Sequence, residues 1–236
     1  ECGASDGFSG ISANPVIGQA VDNVVALGGG GILSEFPELC GVEQELVDRC
    51  ADKVTADRFV ALMRAYEEQA RAVGGSFDMN PSPGNIRDGL ITDAIKSAGA
   101  ARKGGTSPVV AALDYPESVE KSGLNLLCTP GGDIESTTAL AGAGANLILY
   151  STGHGKPTGN PVAPVVQVSS NSMTAELLPD MIYFDAGPVI TGEVGIPALG
   201  ASLLDLVIET ASGRYSPKAV RLGQDDFIPW KRGVSL

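Results

Sequence analysis

A polar, glycine-rich stretch at residues 151–160 holds the single histidine of the chain, His154. An imidazole changes its charge near neutral pH and is often used for proton transfer. The neighbouring glycines leave it accessible, although a lone histidine is more often a structural residue. The stretch lacks G-x-x-x-x-G-K-[ST] and G-x-G-x-x-G with a following acidic residue, so it does not predict a nucleotide site. His154 is therefore a candidate acid–base group.

Two further polar stretches offer groups that bind small anions or hydroxyls. Residues 129–133 are Thr-Pro-Gly-Gly-Asp between a predicted strand and a predicted helix, where backbone N–H groups suit a carboxylate or phosphate. Residues 80–85 are Asn-Pro-Ser-Pro-Gly-Asn, in which the prolines fix φ and the Asn80 and Asn85 amides can bind hydroxyls. A tight connection explains the first stretch equally well, and a rigid connector explains the second.

The first ten residues place Cys2, Ser5 and Asp6 close together. A thiolate and a carboxylate ligate divalent cations, but two ligands are too few for a site, so a metal here would need ligands from elsewhere. The other cysteines form no C-x-x-C pair and are predicted to be reduced thiols of the core.

Short apolar runs that alternate with amphipathic stretches must position these residues. Strands are predicted at residues 32–35, 109–113, 124–128, 147–150, 165–168 and 182–184. Helices are predicted from Asn14-Pro15 to Gly28, over residues 39–50, from a Thr55 cap to residues 74–75, over residues 90–101, from about residue 134, and over residues 196–211. This alternation predicts the α/β class, with a mainly parallel sheet flanked by helices in a Rossmann-like three-layer domain.

We predict one domain over residues 1–236, with residues 76–85 as the best place for an internal seam. Open α/β sheets bind ligands at the carboxyl ends of their strands, and the polar stretches at residues 129–133 and 152–156 follow predicted strands. These two stretches and residues 80–85 are therefore expected around one cleft.

Composition excludes several classes of function. Sixteen Lys and Arg against 28 Asp and Glu give a net charge of −12, which repels a phosphate backbone and excludes nucleic acid as the main partner. No apolar run reaches the roughly 18–20 residues that cross a bilayer. Glycine, 31 of 236 residues, clusters in the polar stretches, which favours close-fitting loops around a small ligand.

Several stretches of the chain carry recognisable motifs: residues 1–11, 13–15, 80–85, 103–108, 123–127, 152–155 and 233–236. They resemble one family, the altronate/galactarate dehydratases, which are sugar-acid dehydratases of bacteria, and the match is closer to the altronate branch. The resemblance covers essentially the whole chain. It implies the C-terminal, catalytic-type domain of a longer enzyme, whose N-terminal and middle domains are partners outside these residues. Ala4 stands where many members have Gly, which is a mild change. His154 and Lys156 stand where many members have Arg and Thr, and this change of cations affects the expected substrate.

The resemblance implies a hydro-lyase that removes water from an aldonate or aldarate to give a 2-keto-3-deoxy sugar acid. It implies Lys103 as the base or the carboxylate anchor, His154 as an acid–base group, and Asp6 and Cys2 on the side of a metal. Substrate-binding side chains are expected at Ser5, Asn80, Asn85, Thr129, Asp133, Thr152 and Lys156. The resemblance also implies a divalent metal, Fe²⁺ with Mn²⁺ or Mg²⁺ as substitutes, a cytoplasmic location and a homo-oligomer, with no nucleic acid or membrane partner.

Other readings remain open. The substrate can be galactarate, or sulfolactate cleaved by a similar β-elimination as in the large subunit of sulfolactate sulfo-lyase. The domain can also serve only to bind sugar acid or to dimerise, inactive without the missing part. Lys103, Lys156 and Arg87 lie in or beside the polar motifs. At least one is expected to contact the substrate carboxylate, and surface ion pairs for all three are the alternative.

Overall fold

The computed structural model describes residues 5–77, 81–233 and 235. Its strands are β1 Gly30–Leu33, β2 Val109–Leu113, β3 Gly123–Leu127, β4 Ile148–Thr152, β5 Val165–Ser169 and β6 Phe184–Asp185. Its helices are α1 Ala13–Ala26, α2 Glu43–Asp48, α3 Lys53–Ala72, α4 Pro83–Arg87, α5 Asp93–Ala101, α6 Asp133–Gly142, α7 Ser172–Leu177, α8 Pro188–Thr191, α9 Ile196–Ala211 and α10 Lys218–Arg221. No helix in the described part of the chain has the length and apolar character needed to cross a membrane.

The observed helices agree best with the predicted ones where the amphipathic pattern in the sequence is long. The helix predicted over residues 196–211 is α9, and the one predicted to close at Gly28 is α1. The cap predicted at Thr55 was wrong: Asp52 is the N-cap of α3, and its carboxylate accepts the Thr55 N–H. The helix predicted over residues 39–50 is shorter, because residues 36–39 form a 3-10 turn and Gly41 takes a positive φ of 87°.

All strand pairs are parallel. One sheet has the order β1-β3-β2 and the other has the order β4-β5-β6. In the first, Leu33 lies opposite Leu126; in the second, Ser151 lies opposite Val168. The α/β class with parallel strands is therefore confirmed, and the strands form two small sheets instead of the one sheet that alternation alone suggests.

Side chains along β5 show how the layers are stacked. Val166 and Val168 pack with α1 and with Leu203 of α9, whereas Val165 packs with Leu140 of α6. Neighbouring residues on a strand point to opposite faces, so α1 and α6 cover opposite faces of this sheet. Leu140 also packs into the cluster around Leu127 of β3, so α6 spans both sheets. The predicted three-layer arrangement of helices, sheet and helices is confirmed.

A large aromatic and aliphatic core lies beside the first sheet. Phe36 and Phe59 meet edge to face with 5.3 Å between ring centroids, and both are fully buried beside Leu124 of β3. Burying an aromatic or aliphatic side chain of this size stabilises the fold by about 1.5–3 kcal/mol. This core anchors the carboxyl ends of β1 and β3, where the polar residues described next are found.

Candidate active site

The carboxyl ends of strands from both sheets lie at the same end of the molecule. Ser34, which follows β1, is 2.8 Å from Ser136 of α6 through their hydroxyl oxygens. The hydroxyl of Tyr150 on β4 donates to the Asp133 carboxylate at 3.0 Å. Since α6 begins directly after the polar turn that follows β3, these contacts bring the ends of β1, β3 and β4 together.

Glu35, immediately after β1, has an unusual backbone. Among the described residues it is the one non-glycine with a positive φ, at φ 68° and ψ 60°. This left-handed conformation costs an ordinary residue roughly 1–2 kcal/mol. Two hydrogen bonds to Thr129 oppose that cost: its hydroxyl accepts the Glu35 N–H at 2.8 Å, and its carbonyl accepts the Phe36 N–H at 3.1 Å. Strand β1 thus ends at Leu33, two residues before the predicted end at Glu35.

A cluster of two lysines and two glutamates forms around this turn. Lys103 Nζ lies 2.7 Å from Glu35 Oε2 and 3.6 Å from Glu38 Oε2. Lys96 Nζ of α5 lies 2.9 Å from Glu38 Oε1. The Glu38 and Lys96 side chains are almost fully buried, and the Lys103 side chain is 12% exposed. Burial is the largest single influence on the Glu35 carboxyl and by itself would raise its pKa, but the neighbouring cations, Lys103 foremost, together hold that pKa below its ordinary value.

Asp133 and Lys156 join the turn after β3 to the loop after β4. Lys156 forms an ion pair with the buried Asp133 carboxylate, and the lysine side chain is 42% exposed. Asp133 begins α6, where the helix dipole favours a negative charge. These two predicted substrate-binding residues are therefore in direct contact.

The Asp6 carboxylate ties the start of the described chain to β4 and β5. It accepts hydrogen bonds from the backbone and hydroxyl of Ser9, from the Ser170 hydroxyl at 2.8–2.9 Å and from the Asn171 amide at 3.0 Å. A Cβ on Gly153 would lie 2.5 Å from Asp6 Cγ, so this close approach requires glycine. Both carboxylate oxygens of Asp6 already accept hydrogen bonds in the described structure.

His154 lies at the surface beside this network. Its Nε2 is 3.1 Å from the Asp88 carboxylate, and its side chain is 48% exposed. The preceding Thr152 is buried, and its hydroxyl accepts the Gly155 N–H at 2.9 Å. A carboxylate that contacts one ring nitrogen of a histidine fixes the orientation of the imidazole ring. This arrangement is typical of a histidine that acts as an acid or a base.

Asn85 and Ser5 connect the two polar regions. The Asn85 amide donates to the Ser5 carbonyl at 3.1 Å, and its oxygen caps α4 together with Ser82. Lys96 also reaches the Asn85 oxygen, at 3.4 Å. A chain of contacts therefore runs from Asn85 through the lysine–glutamate cluster to Thr129. Arg87 on α4 is exposed. The predicted residues Cys2 and Asn80 lie outside the described residues.

A cavity of about 430 Å³ opens beside the lysine–glutamate cluster. Strands β1 and β4 line it from opposite sides, and α1 and α6 line its two faces. Its inner wall is mainly aliphatic, while Glu35, Lys103, Asp133 and Ser136 form a polar end. This volume falls within the range of about 300–1,000 Å³ that is typical of small-molecule sites.

The described residues do not form a complete metal site. Nowhere in residues 5–77, 81–233 and 235 do three or more His, Cys, Asp or Glu side chains gather in a way that could hold a metal ion. Asp6, the described residue assigned to the metal side, has both oxygens occupied by protein donors. The described residues alone therefore do not supply enough ligands for the predicted Fe²⁺, Mn²⁺ or Mg²⁺.

Sequence reasoning missed several residues that shape the site. Glu35, Glu38 and Lys96 were not singled out, because each sits in or next to a stretch that was assigned to a strand or a helix. A signal was present for Glu35, because a charged residue within a predicted strand of the core needs a partner. Asn171 was also missed, although it follows a predicted strand as the other polar loops do.

The fold defines an α/β protein with a cavity of small-molecule size at the carboxyl ends of parallel strands. The model of the family "D-galactarate/Altronate dehydratase, C-terminal" matches residues 1–235. The chain belongs to this family, and the resemblance seen in the sequence is confirmed.

Curated relatives agree with this assignment. The chain is 43% identical over its whole length to the altronate dehydratase of Escherichia coli (strain K12) and covers 47% of that protein. It is 38% identical over its whole length to the altronate dehydratase of Bacillus subtilis (strain 168), again covering 47%. It is 31% identical to the galactarate dehydratase (L-threo-forming) of E. coli K12, over 91% of this chain and 41% of that protein. The chain thus spans about half the length of the curated relatives it matches.

Proposed function

We propose that this chain is the C-terminal part of an altronate dehydratase-like hydro-lyase. The reaction removes the proton on the carbon α to the carboxylate. The hydroxyl on the β-carbon then leaves as water. The enol that remains rearranges to a 2-keto-3-deoxy sugar acid. The substrate is an aldonate or aldarate, with altronate expected first because the relatives with the higher identities are named altronate dehydratases.

One observation carries the proposal: paired charges gather at the carboxyl ends of strands from both sheets, beside a cavity of small-molecule size. A polyhydroxylated acid needs a cation for its carboxylate and several donors and acceptors for its hydroxyls. Lys103 and Asp133 both line the polar end of this cavity, and Lys156 pairs with Asp133, so these residues offer such groups. Because the net charge of −12 repels an anion at long range, such local cations must supply the attraction.

Chemical roles follow from what each group can do. Lys103 is the base or the carboxylate anchor, since it lines the polar end of the cavity. His154, oriented by Asp88, is the group that protonates the departing hydroxyl. Asp6 acts through Gly153, Ser170 and Asn171 and holds the loops after β4 and β5 in place. Ser136 and Tyr150 line the same cavity and offer neutral donors for substrate hydroxyls.

A divalent metal, expected as Fe²⁺ with Mn²⁺ or Mg²⁺ as substitutes, would stabilise charge on the enolate. It would need ligands in addition to the described residues, from Cys2 or from the part of the relatives that this chain does not cover. Cytoplasmic location and a homo-oligomeric state remain predictions that rest on the family resemblance.

Substrate profiling of the full-length protein tests this function. Altronate, galactarate and sulfolactate are offered separately, and the products are identified by mass spectrometry. The proposal expects loss of water from altronate, with a 2-keto-3-deoxy acid as product. Release of sulfite from sulfolactate without dehydration of either sugar acid would contradict it.

A further inference from the structure

We propose that Glu35 is a positioning residue that holds Lys103 charged at the polar end of the cavity, so that Lys103 binds the substrate carboxylate as a permanent cation and is not the base. This inference rests on the proposed function and decides between the two roles left open for Lys103. Neither Glu35 nor Glu38 belongs to the residues assigned from the sequence.

The backbone at Glu35 is built to place this one carboxylate. A glycine would adopt φ 68° without strain, yet a glutamate occupies the position. Thr129 secures the strained turn through both its hydroxyl and its carbonyl. Strain of this kind is retained where the surrounding structure needs a particular side chain at a particular place. The turn places a carboxylate oxygen of Glu35 2.7 Å from Lys103 Nζ.

The charges around Lys103 favour its ammonium form. Glu35 and Glu38 face it from the segment after β1, at 2.7 Å and 3.6 Å. Lys96 of α5 lies behind Glu38, and Asp133 of α6 lies on the wall of the same cavity. Two nearly buried carboxylates close to one ammonium stabilise the charged form, because burial weakens screening by solvent.

A lysine that keeps its proton cannot abstract another. A base must be neutral in the working enzyme, which requires lysine to be desolvated without nearby carboxylates or placed beside other cations. Among the described residues, Lys103 instead has two carboxylates within 3.6 Å of its Nζ, those of Glu35 and Glu38. It suits recognition of the carboxylate, and it stabilises the negative charge that spreads onto that carboxylate when the α-proton leaves.

The test compares pH profiles of kcat/KM for the full-length protein and its Glu35→Gln variant, with Glu35→Asp and Glu117→Gln alongside. If Lys103 acts as a cation, activity falls at high pH as the ammonium loses its proton. Removing the Glu35 charge should then move this alkaline limb down by about one pH unit, since a neighbouring carboxylate shifts ionisation by about 1–3 units. Glu35→Asp should restore the wild-type limb. Glu117, which pairs with Arg58 at the surface, should leave it unchanged when replaced.

Two kinetic outcomes would overturn the inference. A loss of activity by the same factor at every pH would mean that Glu35 has only a structural role. A shift of the acid limb, with higher activity of Glu35→Gln at low pH, would mean that Lys103 works as the base.

A second readout does not depend on turnover. An amine-specific reagent modifies lysine only when the amine is neutral, so mass spectrometry can follow labelling of Lys103 against pH. Glu35→Gln should make Lys103 reactive at lower pH than in the wild type, and identical labelling curves would contradict the inference. Should the wild type act on no sugar acid while the labelling curves still separate, the proposed function fails and the charge-holding role of Glu35 stands.

Discussion

At the scale of single residues, the site depends on ion pairs whose members come from different parts of the chain. Lys103 pairs with Glu35, Lys156 with Asp133, and His154 with Asp88. A substrate carboxylate must compete with these internal partners. Of the three described cations in these pairs, Lys103 is the one that lines the cavity and stays almost buried, so its charge is less screened by water than that of Lys156 or His154.

Replacing Lys103 should therefore impair the enzyme selectively. In the full-length protein we expect Lys103→Met to lower kcat/KM by about 10²-fold, which corresponds to about 2.7 kcal/mol of transition-state stabilisation. Steady-state kinetics with altronate measure the effect. Lys53→Met is the matched control, because Lys53 is 84% exposed and pairs only with the exposed Asp57. Unchanged kinetics of Lys103→Met would remove this residue from the site.

Glu35 should also make stability depend on pH. Its pKa is lowered in the folded protein, so the ionised carboxylate contributes stability above the unfolded pKa of about 4.3 and loses that contribution as the pH falls below it. We expect the difference in Tm between wild type and Glu35→Gln to be largest above about pH 5 and to shrink toward about pH 3. Thermal unfolding across this range measures it. A difference that stays constant with pH would show that the Glu35 charge is not the cause.

At the scale of elements, two loops are secured by contacts with other strands. The turn after β1 is tied to Thr129 after β3. The loop after β4 is tied to Asp6 through Asn171, whose amide donates to the Gly153 carbonyl and to the Asp6 carboxylate. Each tie involves buried polar groups, which are costly to leave without a partner. The conformation at the end of one strand therefore depends on contacts with the ends of other strands.

Thr129→Val should expose this dependence in the first sheet. The substitution keeps the shape of the side chain and leaves the Glu35 N–H without its acceptor, so we expect a loss of about 1–3 kcal/mol in the free energy of unfolding. Denaturant unfolding measures the loss. Thr129→Ser keeps the hydroxyl and should lose much less, so equal losses for the two variants would argue against the hydrogen bond.

Gly153→Ala should lower the free energy of unfolding by disturbing the corresponding contacts at the second sheet. The added Cβ would meet Asp6 at 2.5–2.8 Å, which forces the Asp6 network to move. Overpacking of this kind costs about 1–3 kcal/mol. Gly30→Ala is the control, because the nearest atoms there lie at 3.9–4.0 Å. A Gly153→Ala protein as stable as the Gly30→Ala protein would contradict the close approach of Asp6.

At the scale of the whole molecule, the chain covers about half of its curated relatives, and the described residues do not complete a metal site. We expect the 236-residue chain to fold, with little or no dehydratase activity of its own. Circular dichroism and a dehydration assay at equal molar concentrations, beside the full-length protein, check both halves of this prediction. Turnover by the 236-residue chain comparable with that of the full-length protein would refute it.

The sequence by itself determined the α/β class, the long helices α1 and α9, and most of the polar loops. Each of these features follows from a pattern of residues that are close together in the sequence. Apolar periodicity predicts a helix wherever that helix packs, and glycine, proline and asparagine mark a loop without any partner. The family resemblance rested on the same short stretches.

Only the tertiary structure decided which residues meet. Asp6 binds Ser170, which is 164 positions away, and Thr129 secures Glu35 from 94 positions away. The left-handed turn at Glu35 and the division of the strands into two sheets also depend on contacts of this length. A local pattern carries no information on such pairs, because their free energy arises only when the packed layers bring distant strand ends together.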